Sequence, residues 1–268
     1  ARLAALRDRG KFADTFAAVE SYCTFIGYSR SGHSLIAALL DAHPNIVMAH
    51  ELRAIKYVKA NFSRDSLYYL LFQNTHIRGH SWKRGSGYTY NVPGQWQGAF
   101  EKINVIGDKH GEYTVNELAA NPKLINKLRQ TVGVPIKLIH VIRNPFDNIA
   151  TMALKKAKNG APLDLDRAIK RYFHTCASVM QVKTLAQAVE VFDLSHESFV
   201  KAPRSHLQEL CLWLGVQSSE DYLNACADIV FDSPNKSRHK VDWSEAQKQA
   251  VMDGISGVPF LQEYCFDS

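Results

Sequence analysis

Residues 27–34 read GYSRSGHS. They carry both glycines and the closing hydroxyl of the phosphate-loop pattern G-x-x-x-x-G-K-[ST], but His33 stands at the lysine position and an arginine, Arg30, comes earlier. Ahead of them YCTFIGY (22–28) is a short apolar, aromatic-rich run that reads as a buried strand. Behind them HSLIAALLDAH repeats Leu35, Ile36, Leu39 and Leu40 at helical spacing and stops before Pro44. A glycine-rich turn between strand and helix lets successive N–H groups converge on phosphate oxygens, at a helix end carrying about half a positive charge. Ser34 adds a hydroxyl donor and Arg30 a forked cation. The lysine that reaches the β- and γ-phosphates is missing, and the strand 136–143 ends in arginine with no carboxylate for magnesium. The loop therefore reads as a phosphate holder and not as a triphosphatase.

Working outward, NIVMAHE (45–51), INVIGDK (103–109), IKLIHVIR (136–143) and AVEVFDLS (188–195) are further strand candidates. Asn144 is a helix N-cap with Pro145 at the first helical position, opening a helix that runs to Gly160. Helices are also expected over 164–187 and 203–215, and after Ser244, which forms a capping box with Gln247. Strands alternating with helices imply an α/β, three-layer P-loop-type fold: a central parallel sheet flanked by helices, formed by residues 1–268 as one domain. Residues 72–102, rich in Gly, Pro, Trp and Tyr, break the rhythm and read as a loop or lid over a site. Trp82, Tyr88, Tyr90 and Trp96 there could stack on a ring or simply pack the core.

A second anion site emerges from RNPFDNIAT (143–151). Arg143 stands at the carboxyl end of a strand, where α/β sheets place their ligands, and Thr151 and Lys155 share one face of the following helix. Two phosphate sites on one sheet edge fit a nucleotide phosphorylated at two positions. The net charge of +6 and pI near 9.0 suit an anionic ligand. Lysines and arginines are spread along the chain with no run of five like charges, which argues against nucleic acid. Five scattered cysteines without a CxxC pair point to reduced thiols in a cytoplasm-like compartment. No apolar run reads as a signal peptide or a membrane span, although a trimmed targeting segment stays open because there is no initial Met. His76 and His80 lie four apart without a third ligand, so surface polar residues are the expectation and no metal is assigned.

The loop together with RNPxDxxxT resembles the sulfotransferase superfamily, which uses 3′-phosphoadenosine 5′-phosphosulfate (PAPS). The stretch SRSGHSLIAALLDAHPNIVMAHELR (29–53) is similar to the tyrosylprotein sulfotransferase branch, whose pattern runs PRSGTTLMRAMLDAHP, then a short strand and EETR. The resemblance implies that Arg30, Ser31, Gly32, His33 and Ser34 hold the 5′-phosphosulfate and that Arg143 and Thr151 hold the 3′-phosphate; Lys155 joins them by its helix-face spacing alone. It implies that Glu51 is the base and that Lys109 steadies the bridging oxygen and the sulfonate. It also implies that Ser237 and Arg238, in the basic stretch KSRHKVDW (236–243), lie near the 3′-phosphate. The departures are His33 and Thr151, for threonine and serine, and His196 before Glu197, where the family has tyrosine next to an adenine contact.

His110 is a rival base, one residue after Lys109 where cytosolic relatives have a histidine two after. On extended chain that slip turns the side chain to the other face. From residue pattern alone Glu51 could instead pair with Arg53 in solvent, Lys109 with Asp108, and His33 could cap its helix or donate to a sulfonate. The expected product is 3′-phosphoadenosine 5′-phosphate (PAP), and the expected acceptor is a small-molecule hydroxyl or amine, with peptide tyrosine or sugar as alternatives. A small-molecule kinase with a degenerate loop, or a non-catalytic nucleotide-binding module, are the competing readings.

Overall fold

The strand that leads into the phosphate loop is the middle strand of the sheet. The structure, a computed structural model, describes residues 12–78, 90–186 and 189–268. Five strands, β1 (Ser21–Ile26), β2 (Ile46–His50), β3 (Val105–Lys109), β4 (Ile136–Ile142) and β5 (Glu190–Ser195), are all parallel in the order β2-β3-β1-β4-β5. The expected α/β architecture with a helix-flanked parallel sheet is what the chain adopts.

The helices are α1 (Ala13–Ala17), α2 (His33–Asp41), α3 (Ala54–Lys59), α4 (Arg64–Arg78), α5 (Gly111–Ala120), α6 (Lys123–Val132), α7 (Pro145–Lys158), α8 (Leu165–Leu185), α9 (His196–Lys201), α10 (Pro203–Leu214), α11 (Glu220–Asp228) and α12 (Glu245–Ser256), with a 3₁₀ turn at Ser237–Lys240 before the last. Asn144 accepts from the Phe146 N–H as N-cap of α7, and the Ser244–Gln247 capping box opens α12.

Period-two alternation along the strands builds both sides of the core. Tyr22, Ile26, Val47, Ile106 and Leu138 face a cluster completed by α4, α5, α6 and α8. Cys23, Phe25, Met48, Ile139 and Val141 face the other, completed by α2, α10 and α11. Every residue of β1 is buried, which explains why its sequence is a continuous apolar run.

The stretch 72–102 differs from expectation at its start: residues 72–78 are the last two turns of α4, with Phe72 buried against Phe12 and Phe100. Residues 79–89, including His80, Trp82 and Tyr88, lie outside the described residues. Tyr90 packs against the core, and Trp96 is 41% exposed while its backbone N–H donates to the Ala42 carbonyl. Among the described residues no helix is long and apolar enough to cross a membrane.

Gly107 lies in β3 directly beside β1. It pairs with Cys23, and a Cβ at Gly107 would sit 2.2 Å from the Cys23 carbonyl oxygen. Backbone cannot move aside as a side chain can, so Gly107→Ala should destabilise the fold by about 2–3 kcal/mol. Urea unfolding curves with an unchanged slope and an unchanged midpoint would contradict this packing.

Candidate active site

All five strands end on one edge, and the register fixes what meets there. His50 of β2 pairs with Lys109 of β3, so Glu51 is one residue past the end of β2 beside the last residue of β3. Thr24 pairs with Asp108, which places the loop leaving β1 at the same level. Arg143 follows the last residue of β4, and His196 follows that of β5.

Lys109 joins the elements. Only 3% exposed, it donates from Nζ to Ser34 Oγ and to Glu51 Oε1, each at 2.8 Å. Two of the bland pairings thus give way: Glu51 pairs with Lys109 and not Arg53, and Lys109 pairs with Glu51 and not Asp108. Alternation along β3 is the reason, since successive side chains leave a strand on opposite faces. Burial pushes the Glu51 carboxyl up, but the charge and hydrogen bond of Lys109 outweigh it and hold the group at about 2.

Asp108, on the other face, entered the sequence reading only as a partner for Lys109. Its carboxylate accepts from the Leu52 N–H at 2.9 Å and the Ala54 N–H at 2.8 Å. That clamp holds the turn in which Glu51 and Arg53 both have positive φ, +55° and +62°. Full burial raises the Asp108 carboxyl to about 6 despite the backbone donors. An acid ending the apolar run VIGD was the available signal.

His110 is the residue before α5, half-buried, its ring edge-on to Tyr113 and its Nε2 accepting from Arg53 Nε at 3.4 Å. Burial lowers its pKa, and the Glu51 charge partly restores it. It lies beside the carboxylate, but that ring nitrogen is engaged.

The phosphate loop needs positive φ at Gly27, Arg30 and Gly32. His33 follows the N-cap position and does not cap its helix. Gly32 is the N-cap of α2 with no side-chain cap bond, and the His33 ring turns inward against Phe25 and Gly111. Burial first, and then the Lys109 charge, lower its pKa well below the ordinary value, so the ring there is neutral. Ser31 also turns its hydroxyl inward, donating to the Tyr28 carbonyl at 3.2 Å.

At the second site Arg143 donates from Nη1 to Thr151 Oγ1 at 3.3 Å and to the Arg30 carbonyl at 3.0 Å, tying the two anion sites together. Its Nη2 donates to the Asn235 carbonyl at 2.6 Å, and its buried Nε has no partner among the described residues. Lys155 is half-buried one turn on along α7. Ser237 is buried in the 3₁₀ turn with its N–H on the Asn235 carbonyl. Arg238 lies in the same turn. Only 2% exposed, it pairs with Asp147 at 3.6 Å and donates to the Cys265 and Ser268 carbonyls, so its guanidinium braces the chain end against α7. The neutral His196 ring, held at about 3 by burial and then by the Arg143 charge, lies against Gly32, where a Cβ would meet its Nδ1 at 2.6 Å.

Residues 24–221 match the Sulfotransferase family. The chain belongs to that family. No curated protein sequence matches it. Solved sulfotransferase structures share its fold at low identity. The sulfotransferase domain of the Synechococcus PCC 7002 olefin synthase superposes with TM-score 0.51 and 14% identity over 88% of this chain and 93% of that one. The sulfotransferase domain from the curacin biosynthetic pathway gives 0.53 and 13% over 92% and 98%. Sulfotransferase STF9 from Mycobacterium avium gives 0.51 and 11% over 95% and 82%.

The Glu51–Lys109 pair has a pH signature. The folded value of Glu51, about 2, lies below its ordinary 4.5, so the pair's contribution is complete above about pH 4.5 and is lost as pH falls towards 2. The stability difference between wild type and Glu51→Gln should therefore grow from pH 2 to 4.5 and stay level above it. Denaturant midpoints that differ equally at pH 3 and pH 6 would remove Lys109 as the cause.

Proposed function

We propose that this sulfotransferase moves a sulfonate from PAPS to an acceptor hydroxyl or amine by in-line displacement. The observation that carries the proposal is Lys109 Nζ bound at once to the loop hydroxyl of Ser34 and the Glu51 carboxylate. Donor site, charge stabiliser and base then share one cation. Lys109 supplies, from a neighbouring strand, the positive charge that the loop lacks at His33.

The residues fit the donor. The loop backbone with Ser34 and Lys109 would hold the 5′-phosphosulfate, and Arg143 with Thr151 the 3′-phosphate. The buried Arg143 Nε without a protein partner supports an anionic ligand there, because an unpaired buried donor costs about 1–3 kcal/mol. PAPS supplies a sulfuryl group whose leaving phosphate develops charge in the displacement. Lys109 meets that charge, and a sulfonate competing for its ammonium weakens its hold on Glu51. The carboxylate's affinity for a proton then rises towards what a general base needs. A small-molecule acceptor is the first class to screen, before peptide tyrosines and sugars.

Magnesium–triphosphate chemistry finds less support, since β4 is followed directly by Arg143 and the Asp108 carboxylate is committed to backbone N–H groups. Calorimetry should show PAP binding that ATP with magnesium does not displace, and Arg143→Ala should weaken PAP by about 10- to 100-fold. Glu51→Gln should lower turnover by about 10²- to 10⁴-fold without weakening PAP. ATP displacing PAP would point to a kinase, and turnover within about threefold in Glu51→Gln would move the base to His110.

A further inference from the structure

Tyr28 lies inside the phosphate loop, but its side chain turns into the protein, where it is 1% exposed. Its hydroxyl is 2.9 Å from His140 Nε2, and His140 Nδ1 is 2.9 Å from Asp193 Oδ1. His140 on β4 is fully buried, and Asp193 is its register partner on β5. At the surface end Lys183 of α8 donates to both oxygens of Asp193, at 2.6 and 2.8 Å.

Chemistry gives these bonds a direction. A carboxylate only accepts, so His140 Nδ1 carries the proton. Burial lowers the His140 pKa and keeps the ring neutral, so Nε2 accepts and the Tyr28 hydroxyl donates. The chain runs from Tyr28 through His140 to Asp193.

Its inner end sits where the loop begins. Gly27 has φ of +112°, and a Cβ there would lie 2.9 Å from His140 Cδ2, so the imidazole also floors the first bend. Beyond that bend three consecutive loop carbonyls are tied by side chains: Tyr28 by Ser31, Ser29 by Asn148 Nδ2 at 3.0 Å, and Arg30 by Arg143. A planar trans peptide carries its N–H opposite its C=O. Tying the carbonyls therefore turns the N–H groups of Ser29, Arg30 and Ser31 the other way, and the Tyr28 side chain pins the start of that run.

We propose that Tyr28, His140 and Asp193 are positioning residues that fix the loop for the 5′-phosphate end of the donor. This rests on the PAPS reading. Three single variants and one double variant test it in the intact protein, titrated with PAP and with adenosine 3′-phosphate, which lacks the 5′ group. Tyr28→Phe and Asp193→Ala should each weaken PAP about fivefold to tenfold, the worth of one hydrogen bond, and leave adenosine 3′-phosphate within about twofold. Combining them should weaken PAP no further than the worse single change, because both break one chain. Asp193→Asn, which keeps an acceptor oxygen, should restore PAP binding to within about twofold. Asp193 is half-exposed, so its variants test the chain even if Tyr28→Phe folds poorly. Variants that bind PAP like wild type, that lose both ligands in parallel, or that add independently overturn the chain alone. A wild type that does not bind PAP overturns the donor reading, and this inference with it.

Discussion

A buried ammonium is costly unless every proton it carries finds a partner, and Lys109 is the cation around which this sheet edge is built. Its two side-chain acceptors come from different elements: Ser34 from the first turn of α2 and Glu51 from the turn after β2. Both lie within reach because β3 sits between β1 and β2. A strand order separating β3 from β1 would leave the ammonium without the loop hydroxyl. The same arrangement frees position 33. With the charge delivered from β3, a neutral imidazole can lie under the loop, and Gly111, where a Cβ would come within 2.4 Å of the ring, makes room for it.

Arg143 does at the other side of β1 what Lys109 does at the first. Its guanidinium ties the loop through Arg30, the helix through Thr151 and the 3₁₀ approach through Asn235. Asp147 and Glu197 lie close enough to support its charge, while Arg238 opposes it. Arg238 is itself paired with Asp147, the carboxylate that also supports the Arg143 charge. Glu197 in turn accepts from the Asn144 N–H at 2.9 Å and the Tyr264 hydroxyl at 3.1 Å, so the chain end is fastened to the same corner.

The parts of the fold legible in the sequence were those governed by local rules. Continuous apolar runs located the strands, and Asn144–Pro145 and Ser244–Gln247 marked helix starts through their own backbone bonds. The candidate site residues at strand ends were legible because parallel sheets gather ligands there. What stayed hidden depends on partners far along the chain. The inward turn of His33 is set by Gly111, the role of Asp108 by the backbone of 52–54, and the bracing by Arg238 of residues 265–268 by a contact with no local signature. The end of α4 was obscured because a polar, aromatic composition suggested a loop, while Phe72 buries itself in a ring cluster with Phe12 and Phe100.

Backbone strain follows the same map. Among the described residues, non-glycine positive φ occurs at Arg30, Glu51, Arg53 and Asn61, and the first three belong to the two turns that carry the site. Such conformations cost about 1–3 kcal/mol each and persist only where the surroundings over-determine them. The surroundings do so here by identifiable bonds: Arg143 on the Arg30 carbonyl, and Asp108 on the N–H groups flanking Arg53. Asp108 is itself raised to about 6 by burial, so the clamp weakens where its carboxylate takes up a proton and loses acceptor strength. The two strained turns thus rest on ionisable groups of the same sheet edge, and the geometry of Glu51 and of the phosphate loop is set by electrostatics as much as by packing.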